Sequence, residues 1–255
     1  MAVITVFNQK GGVGKTTTCL NVTAALDIAA QCPIALDMDP QGHLTLACGI
    51  KQTTPEMSMA AFFKDKRPLQ EMLRPTPRGW QIIPATLELA KIDAMFGSDA
   101  KAATLLKQGL REELALTGAP IMIDCCPMLG VLTLNALLAT DRVLIPVSAD
   151  FLSLQGVHRL GSALDVLEKK LNRSFERRIL VTRFDSRRKL SYDIYDKLKD
   201  RYGELVCNTR IGETVALATS PMMGQDVFAY APHSPGAGDY MALTKELLES
   251  GFFAN

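Results

Sequence analysis

Short continuous apolar runs recur along the chain at 2–7, 34–38, 80–83, 120–123, 142–147 and 178–182. Between them, apolar positions repeat at helical spacing over 16–30, 86–95, 101–115, 151–171, 188–201 and 238–249. A short apolar run without polar alternation suits a strand covered on both faces. Such strands alternating with helices predict an α/β fold: a doubly wound, mostly parallel sheet with helices on both faces. Ligands of such sheets bind beyond the carboxyl ends of the strands. The stretch 51–79 breaks the rhythm with Pro55, Pro68, Pro75 and Pro77, and reads as short helices and loops of the same unit. No internal repeat or low-complexity linker divides the 255 residues, so a single domain over 1–255 is expected.

The first apolar run opens onto Lys10-Gly11-Gly12-Val13-Gly14-Lys15-Thr16-Thr17, a strand feeding a glycine-rich turn that starts a helix. Backbone N–H groups in such a turn converge on an anion, and the helix dipole adds to the attraction. Side chains there would block the close approach of phosphate oxygens. Lys15 is placed to reach the β- and γ-phosphates, and the Thr16 hydroxyl to take one Mg²⁺ position. The ordinary P-loop pattern has a glycine where Gln9 stands, so this is a deviant form carrying a second lysine, Lys10. Ile121-Met122-Ile123-Asp124 supplies a strand ending in an acid, the Walker B arrangement for the metal's water shell. Asp37-Met38-Asp39-Pro40-Gln41-Gly42 ends the second strand. Its two carboxylates are expected to point apart, one toward the Mg²⁺ shell and the other toward the attacking water.

Composition adds less. Hydrophobic residues make up 47% and the net charge is +1, so the whole chain has no polyanion-binding bias. Locally the charge is uneven: Lys169 to Lys189 holds nine basic and two acidic residues, against a net −6 elsewhere. A basic stripe of this kind can track phosphates without reading sequence, and no aromatic interleaving suggests base stacking. The six cysteines (19, 32, 48, 125, 126 and 207) include no Cys-x-x-Cys pair and suit neither zinc nor a disulfide framework. They are read as buried thiols of a reducing compartment. The opening residues read as a core strand and not a signal peptide, and no apolar run reaches the about 20 residues of a membrane span.

These motifs join Asn135-Ala136-Leu137-Leu138-Ala139, Asp141-Arg142-Val143-Leu144-Ile145-Pro146-Val147, Leu180-Val181-Thr182, Phe184-Asp185-Ser186-Arg187 and Ser234-Pro235-Gly236-Ala237-Gly238. Together they resemble the ParA-type partition ATPases of the deviant Walker A (ParA/MinD) family, over nearly the whole chain. The resemblance implies a P-loop NTPase using ATP and Mg²⁺, with slow hydrolysis until a partner acts. It implies that Lys10, Gly11, Gly12, Val13, Gly14, Lys15, Thr16 and Thr17 hold the phosphates, and that Thr16, Asp39 and Asp124 serve the metal, Asp124 through water. Asp39 would orient or activate the attacking water, Lys10 would reach across a dimer to the partner's nucleotide, and Pro221 would approach the adenine.

The implied partners are a second copy in the presence of ATP, nonspecific double-stranded DNA of the nucleoid, and a ParB-like or cargo-linked adaptor, all in the cytoplasm. Arg187 matches a DNA-contacting arginine of the family. Glu213 and Ala216 stand at two further basic positions, which shifts the expected footprint onto Arg188, Lys189 and Arg210. Cys126 replaces a proline of relatives. These departures favour a specialised cargo-positioning relative, and operator-specific repression is not expected. Two other readings share the fold. A MinD-like membrane switch needs a basic amphipathic C-terminal helix, whereas Glu249 to Asn255 holds no Lys or Arg, so stable membrane binding is not expected. A small-molecule ATP-dependent ligase fits the P-loop but not the Asp37–Gly42 segment. An iron–sulfur electron carrier lacks its cysteines.

Overall fold

The structure, a computed structural model, describes residues 2–97 and 102–254. The elements are β1 (Val3–Val6), α1 (Lys15–Ile28), β2 (Ile34–Met38), α2 (His43–Ala47), α3 (Met59–Asp65), β3 (Arg74–Pro75), β4 (Gln81–Ile83), α4 (Ala90–Phe96) and α5 (Leu105–Gly109). They continue with β5 (Ile121–Cys125), α6 (Val131–Ala139), β6 (Arg142–Ser148), α7 (Phe151–Leu171), β7 (Glu176–Phe184), α8 (Lys189–Tyr202) and β8 (Val206–Gly212). The chain closes with α9 (Val215–Thr219), α10 (Val227–Tyr230) and α11 (Pro235–Glu249).

All eight strands form one sheet in the order β3-β4-β2-β5-β1-β6-β7-β8. Every pairing is parallel except that of β3 with β4. β1 lies near the centre, between β5 and β6. Its residues alternate between two cores: Val3 joins one, with Ile121 and Ile123, while Ile4 and Val6 join the other, with Met122 and Leu144. The first core is covered by α3, α5, α6 and α7, the second by α1, α2 and α11. Apolar runs without alternation are therefore what this sheet demands, because both faces of its strands are buried.

The six expected strands form, and two more join them. β8 carries Asn208, Thr209 and Arg210 in its middle, so no apolar run marks it. It is an edge strand paired only with β7, where polar side chains meet water and discourage pairing with another chain. The helix expected over 101–115 begins outside the described residues at 101. From there it is a tight turn at Ala102–Thr104, α5, a widened π turn at Leu110–Leu114 and a second tight turn at Ala115–Thr117. Gly109 lies at the change of geometry, where a Cβ would sit 2.7 Å from the Phe62 ring. The last helix starts at Pro235, three residues early, because the Ser234 side chain caps Ala237 and proline suits the first helical turn.

A candidate nucleotide site at the carboxyl ends of the strands

The segment between β1 and α1 is the glycine turn. Gly12 (φ 74°) and Gly14 (φ 84°) occupy the left-handed region that other residues rarely adopt. The turn is pinned from both sides. The Asn8 amide donates to the Pro146 carbonyl (2.8 Å) and its oxygen accepts the Lys10 N–H (3.0 Å). The Thr182 hydroxyl at the end of β7 donates to the Val13 carbonyl (2.9 Å). The buried Lys15 ammonium folds beneath the loop and donates to the Lys10 carbonyl (3.0 Å). Burial lowers its pKa, while the charges of Asp124 and Asp39 raise it.

Strand register brings the acids together. Asp124 lies beside Val6 of β1 on one side and Asp37 of β2 on the other. Thr16 donates its hydroxyl to Asp124 Oδ2 (2.7 Å), and the buried Oδ1 has no hydrogen-bond partner among the described residues. Burial, then the Asp37 charge, pushes the Asp124 carboxyl well above its usual value. A hydroxyl and a buried, underused carboxylate at the foot of a phosphate turn suit Mg²⁺ and its water shell. Among the described residues no cluster of three His, Cys, Asp or Glu could ligate a metal outright. This arrangement fits a metal held largely by phosphate and water.

Asp37 and Asp39 divide their work differently from expectation. Residues two apart on a strand share a face; here they part because β2 ends at Met38 and the chain turns. Asp37 is fully buried and accepts the Thr45 N–H (2.8 Å), the Thr45 hydroxyl (2.7 Å) and the Asp39 N–H (3.1 Å). Burial pushes it up to about 6, opposed by the Thr45 bonds. Thr45 in turn accepts the Ala85 N–H (2.9 Å), so Asp37 anchors α2 and does not line the cleft. Asp39 is half-buried, accepts the Gln41 N–H (2.9 Å) and lines the cleft.

That cleft, about 1260 Å³, is lined by Gly11, Gly12, Gly14, Lys15, Thr16 and Thr17, by Asp39 opposite, and by Cys126 and Pro221. Lys10 is not on its wall. The Lys10 ammonium instead bonds both oxygens of Asp150 (2.8 and 2.7 Å) and the Ser153 hydroxyl (3.0 Å). Sequence gave no sign of this partner, since Asp150 reads only as a cap for α7.

The basic stripe is largely neutralised. Arg173 pairs with Asp141, Arg177 with Asp165 and Glu168, Arg178 with Glu176, and Arg183 with Glu213. Most of those acids lie outside the counted window, where a tally along the sequence misses them. Arg187 and Arg188 are exposed and share Asp185; Lys189 is exposed at the start of α8. Arg210 is half-buried, its guanidinium over the rings of Phe184 (4.6 Å), Tyr195 (5.0 Å) and Tyr192 (5.9 Å). Five cysteines are buried as expected and Cys32 is exposed, contrary to expectation, on the loop before β2. Burial pushes the Cys125 and Cys126 thiols up, which keeps them from acting as thiolates. Among the described residues no helix is long and apolar enough to cross a membrane.

A family model described as an AAA domain matches residues 1–177. The chromosome partitioning protein ParA of Myxococcus xanthus is 36% identical over 249 residues, covering 97% of this chain and 88% of that protein. The chromosome-partitioning ATPase Soj of Thermus thermophilus is 36% identical over 247 residues, covering 96% and 94%. The solved structure of cobyrinic acid a,c-diamide synthase from Mycobacterium smegmatis, with bound ATP analog and magnesium, superposes with a TM-score of 0.83 at 29% identity, covering 100% of this chain and 96% of that one. With the glycine turn, its two lysines and the paired strand-end acids all in place, this chain belongs to the ParA/Soj family of partitioning ATPases.

Proposed function

We propose that this chain, acting as one ATPase domain over 1–255, is an ATP-driven positioning switch. ATP and Mg²⁺ bind the glycine turn, two copies close over two nucleotides, the dimer holds nucleoid DNA, and an adaptor on the cargo triggers hydrolysis to ADP and phosphate. The observation that carries this reading is the placement of the two lysines. Lys15 lies in the cleft under the phosphate turn, whereas Lys10 does not line that cleft and pairs with Asp150. In a closed dimer Lys10 would exchange the Asp150 carboxylate for the partner's phosphates.

Phosphoryl transfer depends on positioning and on positive charge near the γ-phosphate. The turn's N–H groups and Lys15 hold the triphosphate. Thr16 and Asp124 would hold Mg²⁺, which supplies charge neutralisation across the phosphates. Asp39, the acid exposed to the cleft, orients the attacking water. A Lys10 from the partner supplies the charge that an arginine finger supplies elsewhere.

The test is the mass of the Asp39→Ala variant by light scattering with saturating Mg-ATP. A stable dimer with slow turnover is expected; a monomer would defeat the reading. A second reading, an ATP-dependent small-molecule ligase, draws on the likeness to the M. smegmatis synthase. It predicts a monomer or constitutive dimer whose ATP turnover responds to an organic acid and not to DNA.

A further inference from the structure

At the amino ends of the strands, opposite the glycine turn, α6 draws two distant segments together. The buried Asn135 side chain accepts the Leu106 N–H (3.0 Å), which ties the start of α5 to α6. One turn further along α6, the Leu138 carbonyl accepts Nη1 of Arg173 (3.1 Å), from the loop between α7 and β7. Lys107 and Arg173 are thereby gathered at the last turn of α6. Arg111 follows Lys107 one turn later and is exposed, and the last turn of α7 presents Lys169 and Lys170 just before Arg173. Asp141 and Arg173 stand directly before β6 and β7, two parallel strands, so this patch and the nucleotide cleft lie at opposite ends of the sheet.

The charge gathered here is left uncompensated. Arg173 is held in place, paired with Asp141 (3.2 Å) and lying over the Phe175 ring (4.7 Å). Asp141 is 79% exposed, so its charge is screened by water. Among the described residues, Lys107, Arg111, Lys169 and Lys170 have no carboxylate at ion-pair distance, whereas the nearby Arg142, Arg177 and Arg178 each have one. Burial and then the Arg173 and Arg111 charges lower the Lys107 pKa, against Asp141, which raises it. Like charges crowded without an anion destabilise a fold, and such departures concentrate at working surfaces. Two features choose the anion. Lys107 and Arg173 are partly buried beside a helix end, which suits a flexible chain better than a rigid duplex. Leu116, five residues after Arg111, is fully exposed and offers an apolar contact that phosphate tracking does not use.

We propose that this patch docks an acidic segment of a partner protein, with carboxylates on Lys107 and Arg111 and an apolar side chain on Leu116. A guanidinium such as that of Arg111 takes a carboxylate through two parallel bonds, and Lys169 and Lys170 add attraction along the approach. The nucleotide cleft is at the far end of the strands, so the segment stays bound in every nucleotide state. That sets this contact apart from one that triggers hydrolysis, and it does not depend on the ATP reading above.

The probe is a short fluorescent peptide of glutamates around a pair of leucines, followed by anisotropy. It is expected to bind equally with ATP, with ADP and without nucleotide, and to be released by salt. Lys107→Gln combined with Arg111→Gln removes mutual repulsion, so it keeps or raises the thermal midpoint. The double variant is expected to weaken the peptide about tenfold, and Leu116→Ser about threefold. Unchanged affinity in the double variant overturns the proposal, as does failure of the wild type to bind, or binding that requires ATP. Duplex DNA is then added to the peptide complex of a protein carrying Arg187→Glu, Arg188→Glu and Lys189→Glu. Retention of the peptide is expected; its release would give the patch to nucleic acid and overturn the proposal.

Discussion

Lys10 is held by its own subunit, and that holds at any pH the cell provides. Burial alone would raise the Asp150 carboxyl. Hydrogen bonds from Lys10, Ser148 and Ser153 and the Lys10 charge outweigh burial and bring it down to about 2. A depressed acid contributes stability that is full above its unfolded pKa of about 4 and is lost as pH falls toward 2. The pair is therefore intact at neutrality and competes with any reach of Lys10 toward a partner. Asp150→Asn keeps an oxygen for the α7 cap while removing the charge. It is expected to lower the ATP concentration needed for dimerisation by up to about fivefold, since exposed pairs are worth up to about 1 kcal/mol. A light-scattering titration against ATP checks this. Asp124 makes the opposite point. Asp124 and Asp37 lie side by side and buried, and burial with the neighbouring charge pushes the Asp124 carboxyl well above its usual value, so the pair destabilises the empty site. Asp124→Asn is expected to raise the nucleotide-free melting temperature at pH 8 by about 2–4 °C, corresponding to about 1 kcal/mol. The same variant should lose the stabilisation that Mg-ATP gives the wild type.

Among the elements, the loop from Cys126 to Gly130 joins β5 to α6 along the cleft. Its Met128 carbonyl accepts the Thr133 hydroxyl (2.6 Å). At the other end Asp93 of α4 accepts the Val131 N–H (2.7 Å), capping a helix whose own N-cap, Gly130, has no side chain to offer. Gly130 is needed for space and not for φ: a Cβ would lie 2.4 Å from the Asp93 carboxylate. Gly130→Ala should push Asp93 aside and lose the cap, about 1 kcal/mol. Asp93→Ala should lose about as much, and the double variant little more than either, because both act on one contact. Urea denaturation of the three variants measures the cycle. This contact was invisible in the sequence, where Asp93 and Val131 stand 38 positions apart and Asp93 looks like any surface acid. The glycine turn, Asp39 and the Asp124 strand were legible because each is local: a short segment carries its own geometry. β8 was not, because an edge strand takes polar residues and loses the apolar run that marks the inner strands. The neutralised basic stripe and the Lys10–Asp150 pair were hidden for the same reason as Asp93. Pairings across the fold depend on register and packing that local patterns do not encode.

At the scale of the whole molecule, a net charge of +1 leaves little general attraction to DNA. Lys169 and Lys170 are exposed at the end of α7, and the patch proposed to meet DNA is Arg187, Arg188 and Lys189, with Asp185 shared between the two arginines. Neutralising a phosphate contributes about 0.9 to the slope of log affinity against log salt, so on the proposed reading three side chains partly offset by one acid would bind weakly. Two copies joined by ATP would place two such patches on one duplex and make the second contact intramolecular, multiplying the affinity. Nucleotide state would then control DNA binding without any change within the patch. Reversing all three charges to Glu should weaken binding of the ATP-bound dimer and flatten its salt slope by about 4–6 for the two copies. Arg210→Ala serves as the contrast. Its guanidinium is stacked on Phe184, Tyr192 and Tyr195, so its loss should lower stability by about 1–2 kcal/mol while leaving the salt slope nearly as it was. Fluorescence anisotropy over a salt series, run on both variants in the dimeric state, separates the two roles. A slope that flattens in Arg210→Ala and not in the triple variant would place the DNA on the strand-edge side of α8 instead of at its start.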